Sequence, residues 1–157
     1  MSARPSRLLL TTLFLSLAAV AAALVSQHRL DMQPCPWCVL QRLVFVAMAC
    51  VALLGLPRVR ALRRLSAALL LLLAGAGAAA ALWQHFVAAS STSCKLTLAD
   101  RIMGATGLDS RFPEVFAAYA TCADAAVSIA GIPYEFFSLA LFAALGLAAV
   151  MVLRRPV

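Results

Sequence analysis

The chain has 157 residues, 64% hydrophobic and only 12% charged, with a formal net charge of +7. That apolar share is far above the usual share of a soluble domain, so an ordinary water-soluble globule is excluded. The basic excess is arginine flanking apolar runs, which membrane orientation explains; it calls for no nucleic-acid partner.

Arg4 and Arg7 precede the first uncharged run, residues 8–25. A secretory signal has a shorter apolar region, about 7–15 residues, followed by a cleavage site. This run is read as a helix that stays. The second run, 39–56, follows the stretch QPCPWC; the third is 65–87 and the fourth 132–153. Each is close to the roughly 20 residues that cross a bilayer as helix. None alternates as barrel strands do. The expected fold is all-α: an integral membrane four-helix transmembrane bundle, one membrane domain over 1–157, with outer loops at 26–38 and 88–131.

Charge sets the expected orientation. Arg4, Arg7, Arg58, Arg60, Arg63, Arg64, Arg154 and Arg155 fall on one side with no acid. Positive residues in short loops mark the cytoplasmic face, so both termini are expected there. The outer face, periplasmic in a bacterial inner membrane, then holds Cys35, Cys38, Cys94 and Cys122. Such a compartment favours disulfides. Two pairs and one leftover thiol, Cys50 in the second span, is the natural count, and connectivity stays open. Cys50 reads as a small buried hydrophobe.

A structural zinc site is the competing reading of four thiols, but only one C-x-x-C knuckle exists. Purely structural disulfides suit Cys94 and Cys122, since a bridge there restrains a long loop. They suit Cys35 and Cys38 poorly, because C-x-x-C is the usual redox spacing. Cys38 falls in the first turn of the second helix, where free N–H groups favour a thiolate. Arg42 lies four residues on, so both project from one helix face. Arg42 reads either as a snorkelling residue or as a functional charge inside a span. At that depth a dithiol meets lipid-soluble oxidants. Cys38 would face a membrane quinone, Arg42 would stabilise charge growing on a ring oxygen, and Cys35 would close the disulfide.

The long loop carries apolar residues at helical spacing around FPEVFAAYA: Phe112, Val115, Phe116 and Tyr119. This predicts a short amphipathic helix on the membrane surface. His85, in ALWQHF, reads as a hydrogen-bond partner of a quinone oxygen or as an interfacial histidine beside Trp83. Gly75 and Gly77 are expected to permit close helix packing. Pro133 and Glu135 suit the first turn of the last helix, and no chemistry is assigned to Glu135.

C-P-W-C at 35–38, Arg42, Gln84–His85 late in the third span, the Cys94 and Cys122 loop, and CADAAVSIAGIPYEF together resemble the bacterial disulfide bond formation protein B (DsbB) family. The resemblance runs over essentially the whole chain. It implies a quinone-dependent protein-disulfide oxidoreductase in the inner membrane. Cys94–Cys122 would accept electrons from a DsbA-like periplasmic thiol oxidase, with Cys94 forming the mixed disulfide. Cys35–Cys38 would reoxidise that pair. Arg42 and His85 would neighbour the cofactor, ubiquinone or menaquinone. In vitamin K epoxide reductase-like proteins the active C-x-x-C follows the loop cysteines; here it comes first. The alternative from another class is a membrane scaffold or binding protein with purely structural periplasmic disulfides.

Overall fold

The computed structural model describes residues 3–57, 59–90 and 96–154. In chain order the helices are α1 (Ala3–Arg29), α2 (Pro36–Leu54), α3 (Arg60–Trp83), α4 (Leu98–Thr106), α5 (Leu108–Arg111), α6 (Pro113–Phe116) and α7 (Tyr134–Arg154). A π-helical turn, Gln84–Ala88, continues α3. The four expected long helices are α1, α2, α3 with its π turn, and α7, each long and apolar enough to cross a membrane. The chain is therefore a multi-pass membrane protein. Their outer surfaces carry residues such as Phe14, Leu72 and Leu147, exposed within the chain and suited to lipid.

The helices close into a ring. α3 lies along α7, α2 packs on α1 and α3, and α1 meets α7. The core holds Leu9, Phe45, Met48, Leu70, Phe142 and Leu145. The Phe45 and Phe142 rings stack with centroids 4.1 Å apart. Phe142 lies directly on the backbone of α3 at Gly77, where a Cβ would collide with its ring. Gly146 of α7 likewise faces Ala74, whose Cβ would be 3.3 Å from an added one. Small residues let backbones approach without a water-driven collapse, the usual way membrane helices pack. Gly77 is thus a packing glycine as expected; Gly75 has open space around it and is not. At the end away from the C-x-x-C pair, Arg63 is fully buried. Its Nη2 donates to Ser6 Oγ at 2.7 Å and Leu56 O at 3.3 Å, tying α1 to the turn after α2.

In the loop between α3 and α7, the described residues 96–133 hold several short elements. Thr97 and Asp100 form a reciprocal capping box that starts α4, and Gly107, at φ 64°, ends it. Only Gly takes that left-handed conformation at no steric cost. The helix expected around FPEVFAAYA is a single turn, α6, because Ala117 is already extended. The last long helix begins at Tyr134, two residues later than its apolar run. Strands β1 (Ser128–Ile129) and β2 (Ile132–Pro133) form a small antiparallel hairpin first. Ala130 and Gly131 both have positive φ, 52° and 82°, as a tight hairpin turn requires.

Gly77→Ala is expected to lower stability by about 1–3 kcal/mol through overpacking against Phe142. Gly75→Ala, with nothing to strike, is expected to leave stability unchanged. Reversible unfolding in mixed micelles against increasing denaturing detergent checks this; equal behaviour of the two variants contradicts the seam.

Candidate functional site

The site begins where α2 begins. Pro36 has no N–H to leave unpaired, so it fits the first helical position. Cys35 becomes the N-cap in extended conformation, and its Sγ accepts the Cys38 backbone N–H at 3.4 Å. The sulfurs of Cys35 and Cys38 are 3.0 Å apart. An S–S bond is about 2.05 Å, so closing the disulfide needs a shift of only ~1 Å. Among the described residues Cys35, Cys38, Cys50 and Cys122 carry free thiols. Cys94 lies outside the described residues. Cys50 is exposed on the outer side of α2, not buried as its apolar surroundings suggested. In a membrane an apolar run says nothing about which face points to lipid.

Cys38 is held by an amide chain. Gln41 Nε2 donates to Gln84 Oε1 at 2.8 Å, and Gln84 Nε2 donates to Cys38 Sγ at 3.2 Å. The π turn after Trp83 carries Gln84, and such turns re-aim side chains that a regular helix would place elsewhere.

Arg42, one turn beyond Cys38, is 5% exposed, so it does not snorkel to water. Its Nη1 donates to Gln27 Oε1 at 2.7 Å and Val115 O at 3.0 Å, and its Nη2 to Ala23 O at 3.4 Å. All three acceptors are neutral oxygens, on α1 and the long loop. The guanidinium is satisfied sterically while its charge stays uncompensated by any carboxylate in these bonds. Cys38 and Arg42 line one cavity of about 400 Å³ between α1, α2 and α7, with Ala22, Phe45, Leu141 and Glu135 also in its wall.

The long loop brings Cys122 to the buried side of Cys35. Tyr119 and Ala120 donate their backbone N–H groups to Pro34 O, at 2.9 and 3.3 Å. Just beyond, Thr121 Oγ1 donates to Asp124 Oδ2 at 2.6 Å and closes a turn around Cys122. Cys122 and Cys35 share a buried cluster with Trp37, Leu40, Ala80 and Ala99. Cys122 also borders a larger apolar cavity of about 1090 Å³ on the other side of α2, beneath Trp37, Trp83 and Tyr119. Cys35 is fully buried. Hydrogen bonding with Cys122, then with Cys38, and burial together push its thiol well above the ordinary range. Cys35 therefore sits beside Cys38, 3.0 Å away, and shares one buried cluster with Cys122. Thiol–disulfide exchange needs this kind of approach.

His85 does not line the cavity of Cys38 and Arg42. Its Nδ1 is 2.6 Å from Glu135 Oε1, and Glu135 is the residue that reaches the cavity wall. The sequence pointed to Cys35, Cys38 and Arg42 through their spacing. It did not point to Gln27, Gln41 or the Cys35–Cys122 contact, which are nonlocal. Glu135 did carry a signal: it is the lone acid of its apolar run, and ionisable residues in spans are functional candidates.

In the fully reduced protein at pH 7, Cys35 is expected to be alkylated at least about tenfold more slowly than an unhindered thiol, since only the thiolate reacts. The raised pKa means the rate climbs only when pH passes above the ordinary thiol range. Cys122→Ala is expected to speed the modification. Mass spectrometry of quenched samples checks both; wild-type Cys35 reacting as fast as an open thiol contradicts the geometry.

Residues 5–152 match the family model for disulfide bond formation protein DsbB. A disulfide bond formation protein B from Herminiimonas arsenicoxydans is 31% identical over 133 residues, 84% of each chain. Another from Aromatoleum aromaticum (strain DSM 19018 / LMG 30748 / EbN1) is 33% identical over 153 residues, 91% of this chain and 92% of that one. The C-x-x-C helix start, the arginine one turn on and the four spanning helices agree with that likeness, and the chain belongs to the DsbB family of disulfide bond formation proteins.

Proposed function

We propose that the protein is a thiol:quinone oxidoreductase of the bacterial inner membrane, with its cysteines on the periplasmic face and both termini in the cytoplasm. It reoxidises a DsbA-like dithiol oxidase and passes the electrons to ubiquinone or menaquinone. The observation that carries this reading is that Cys38 and Arg42 line one cavity while Cys35 lies 3.0 Å from Cys38 and packs in one buried cluster with Cys122.

The cavity's volume is within the usual range of small-molecule sites, about 300–1,000 Å³. Its wall is mostly apolar, with Ala19, Ala22, Ala23, Phe45 and Leu141 around the polar Arg42. Those residues fit a flat, lipid-soluble ring with polar oxygens. Bound there, a quinone would supply a sink for two electrons and two protons.

The chain's own residues divide the work. In the oxidised protein Cys94–Cys122 and Cys35–Cys38 are disulfides. A thiolate of the partner attacks Cys94 and releases Cys122 as thiolate. The partner's second thiol then displaces Cys94, leaving the partner oxidised and the loop pair reduced. Cys122 attacks Cys35, and Cys38 leaves as thiolate in the cavity wall. Cys94 closes on Cys122, freeing Cys35. Two electrons now reside on Cys35 and Cys38, and they depart from Cys38 as the Cys35–Cys38 bond reforms. Arg42 holds positive charge where negative charge gathers, on the sulfur and on the acceptor. Its charge is permanent, so this role does not vary with physiological pH.

The test is quinone reduction, followed by ultraviolet absorbance, with detergent-purified protein and a reduced DsbA-like dithiol. Cys38→Ser is expected to abolish turnover. Arg42→Ala is expected to raise the apparent quinone KM by about tenfold, a loss of ~1.4 kcal/mol of binding. Arg42→Lys keeps the charge but loses the forked donor and should fall between. An unchanged KM in Arg42→Ala, or turnover in Cys38→Ser, contradicts the assignment.

A further inference from the structure

Among the described residues Glu135 is the only carboxyl in the wall of the cavity that Cys38 and Arg42 share, and the electron path above makes no use of it. It is 6% exposed, and its one ion-pair partner among the described residues is His85, at 2.6 Å. A carboxylate serving only to cap a helix start would sit in water, where it costs nothing to keep charged. This one is turned inward. His85 stands on the other side of it, with its side chain 31% exposed. The rings of Phe86 and Phe136 meet the imidazole edge-on, with centroids 4.8 and 4.7 Å away, and hold its plane. His85 thus reaches the exterior of the bundle near the end of its span, while Glu135, bonded to it, lines the cavity.

We propose that His85 and Glu135 are a proton relay from the outer surface to the acceptor in the cavity. The proposal rests on the thiol–quinone reading and deepens it. Converting a quinone to a quinol takes two electrons and two protons. The electrons leave the Cys35–Cys38 pair as its S–S bond forms; Cys38 enters this step as thiolate and carries no proton, and the Cys35 proton is released to solvent. Two protons must enter the cavity in exchange. Arg42 cannot give one up. The amides of Gln41 and Gln84 are not acids. Ser26 and Tyr134 are engaged with each other in a weak hydrogen bond at 3.4 Å between α1 and α7.

Protonated Glu135 gives its proton to an acceptor oxygen and becomes a carboxylate. His85, protonated from solvent, passes its Nδ1 proton to Oε1 and is recharged at its exposed edge. Two such cycles deliver both protons, and the charge balance closes. The groups facing Glu135 are His85 from the π turn, Cys38 and Arg42 from α2 and Tyr134 from α7; α1 contributes only the Ser26 hydroxyl.

The test compares wild type, Glu135→Gln, Glu135→Asp and His85→Gln, each reduced and mixed with a short-chain ubiquinone in stopped flow. Quinone binding to the oxidised proteins is measured separately by tryptophan quenching. The expected result is a fall in the single-turnover rate at saturating quinone of about a hundredfold in Glu135→Gln, partial retention in Glu135→Asp, and a larger slowing in heavy water. The quinone dissociation constant should stay as in wild type. His85→Gln, which does not touch the cavity, should slow the rate without altering binding. A wild-type rate in Glu135→Gln overturns the relay. So does weakened binding with an unchanged saturating rate, which makes Glu135 a wall residue. Wild-type protein that neither binds nor reduces quinone sinks the parent reading and the relay with it.

Discussion

The cysteine-bearing end of the molecule is organised around a charge that has nowhere to go. Arg42 is buried within the bundle, and its bonds go only to neutral oxygens of Gln27, Ala23 and Val115. A buried guanidinium left unsatisfied costs several kcal/mol, so these acceptors have to be in place. Meeting them fixes α1 against α2 and brings α6 of the long loop down onto both. The hydrogen bonds satisfy the donors without cancelling the charge. What remains is a positive field at the cavity wall beside Cys38, where a thiolate benefits. Stability and chemistry therefore draw on the same contacts.

The other half of the site depends on α3 and α7. Gly77 lets Phe142 lie on α3, which draws α7 close along its length. Close approach at that seam is what allows His85, just past α3, to meet Glu135 in the first turn of α7. The π turn gives Gln84 and His85 different tasks: one reaches Cys38, the other α7. One irregular turn thus serves both the sulfur and the carboxyl. The hairpin at Ala130–Gly131 sets where α7 starts, and so sets the depth of Glu135.

Much of this was legible in the residues, for physical reasons. Membrane helices announce themselves because the bilayer demands long apolar runs, and all four runs became helices. The pairing of Cys38 with Arg42 followed from helical period alone. What escaped was nonlocal or depended on single backbone angles. Nothing in the sequence says that Tyr119 and Ala120 will bond to Pro34 and so carry Cys122 to Cys35. The loop's apolar spacing around Phe112–Tyr119 suggested a helix, yet the longer loop helix starts at the Thr97–Asp100 capping box. That signal was readable, and local capping outweighed hydrophobic period. Cys50 and Gly75 were misplaced because an all-apolar span does not reveal which face meets protein and which meets lipid.

Electron flow from loop to cavity through Cys35 is the claim on which the functional reading turns, and covalent intermediates report on it most directly. Oxidised protein with bound quinone would be mixed with one equivalent of reduced partner dithiol, quenched in acid at successive times, and mapped by mass spectrometry. A Cys35–Cys122-linked peptide should rise before quinol accumulates and decay as it forms. Quinol forming with no such peptide at any time would contradict the route through Cys35.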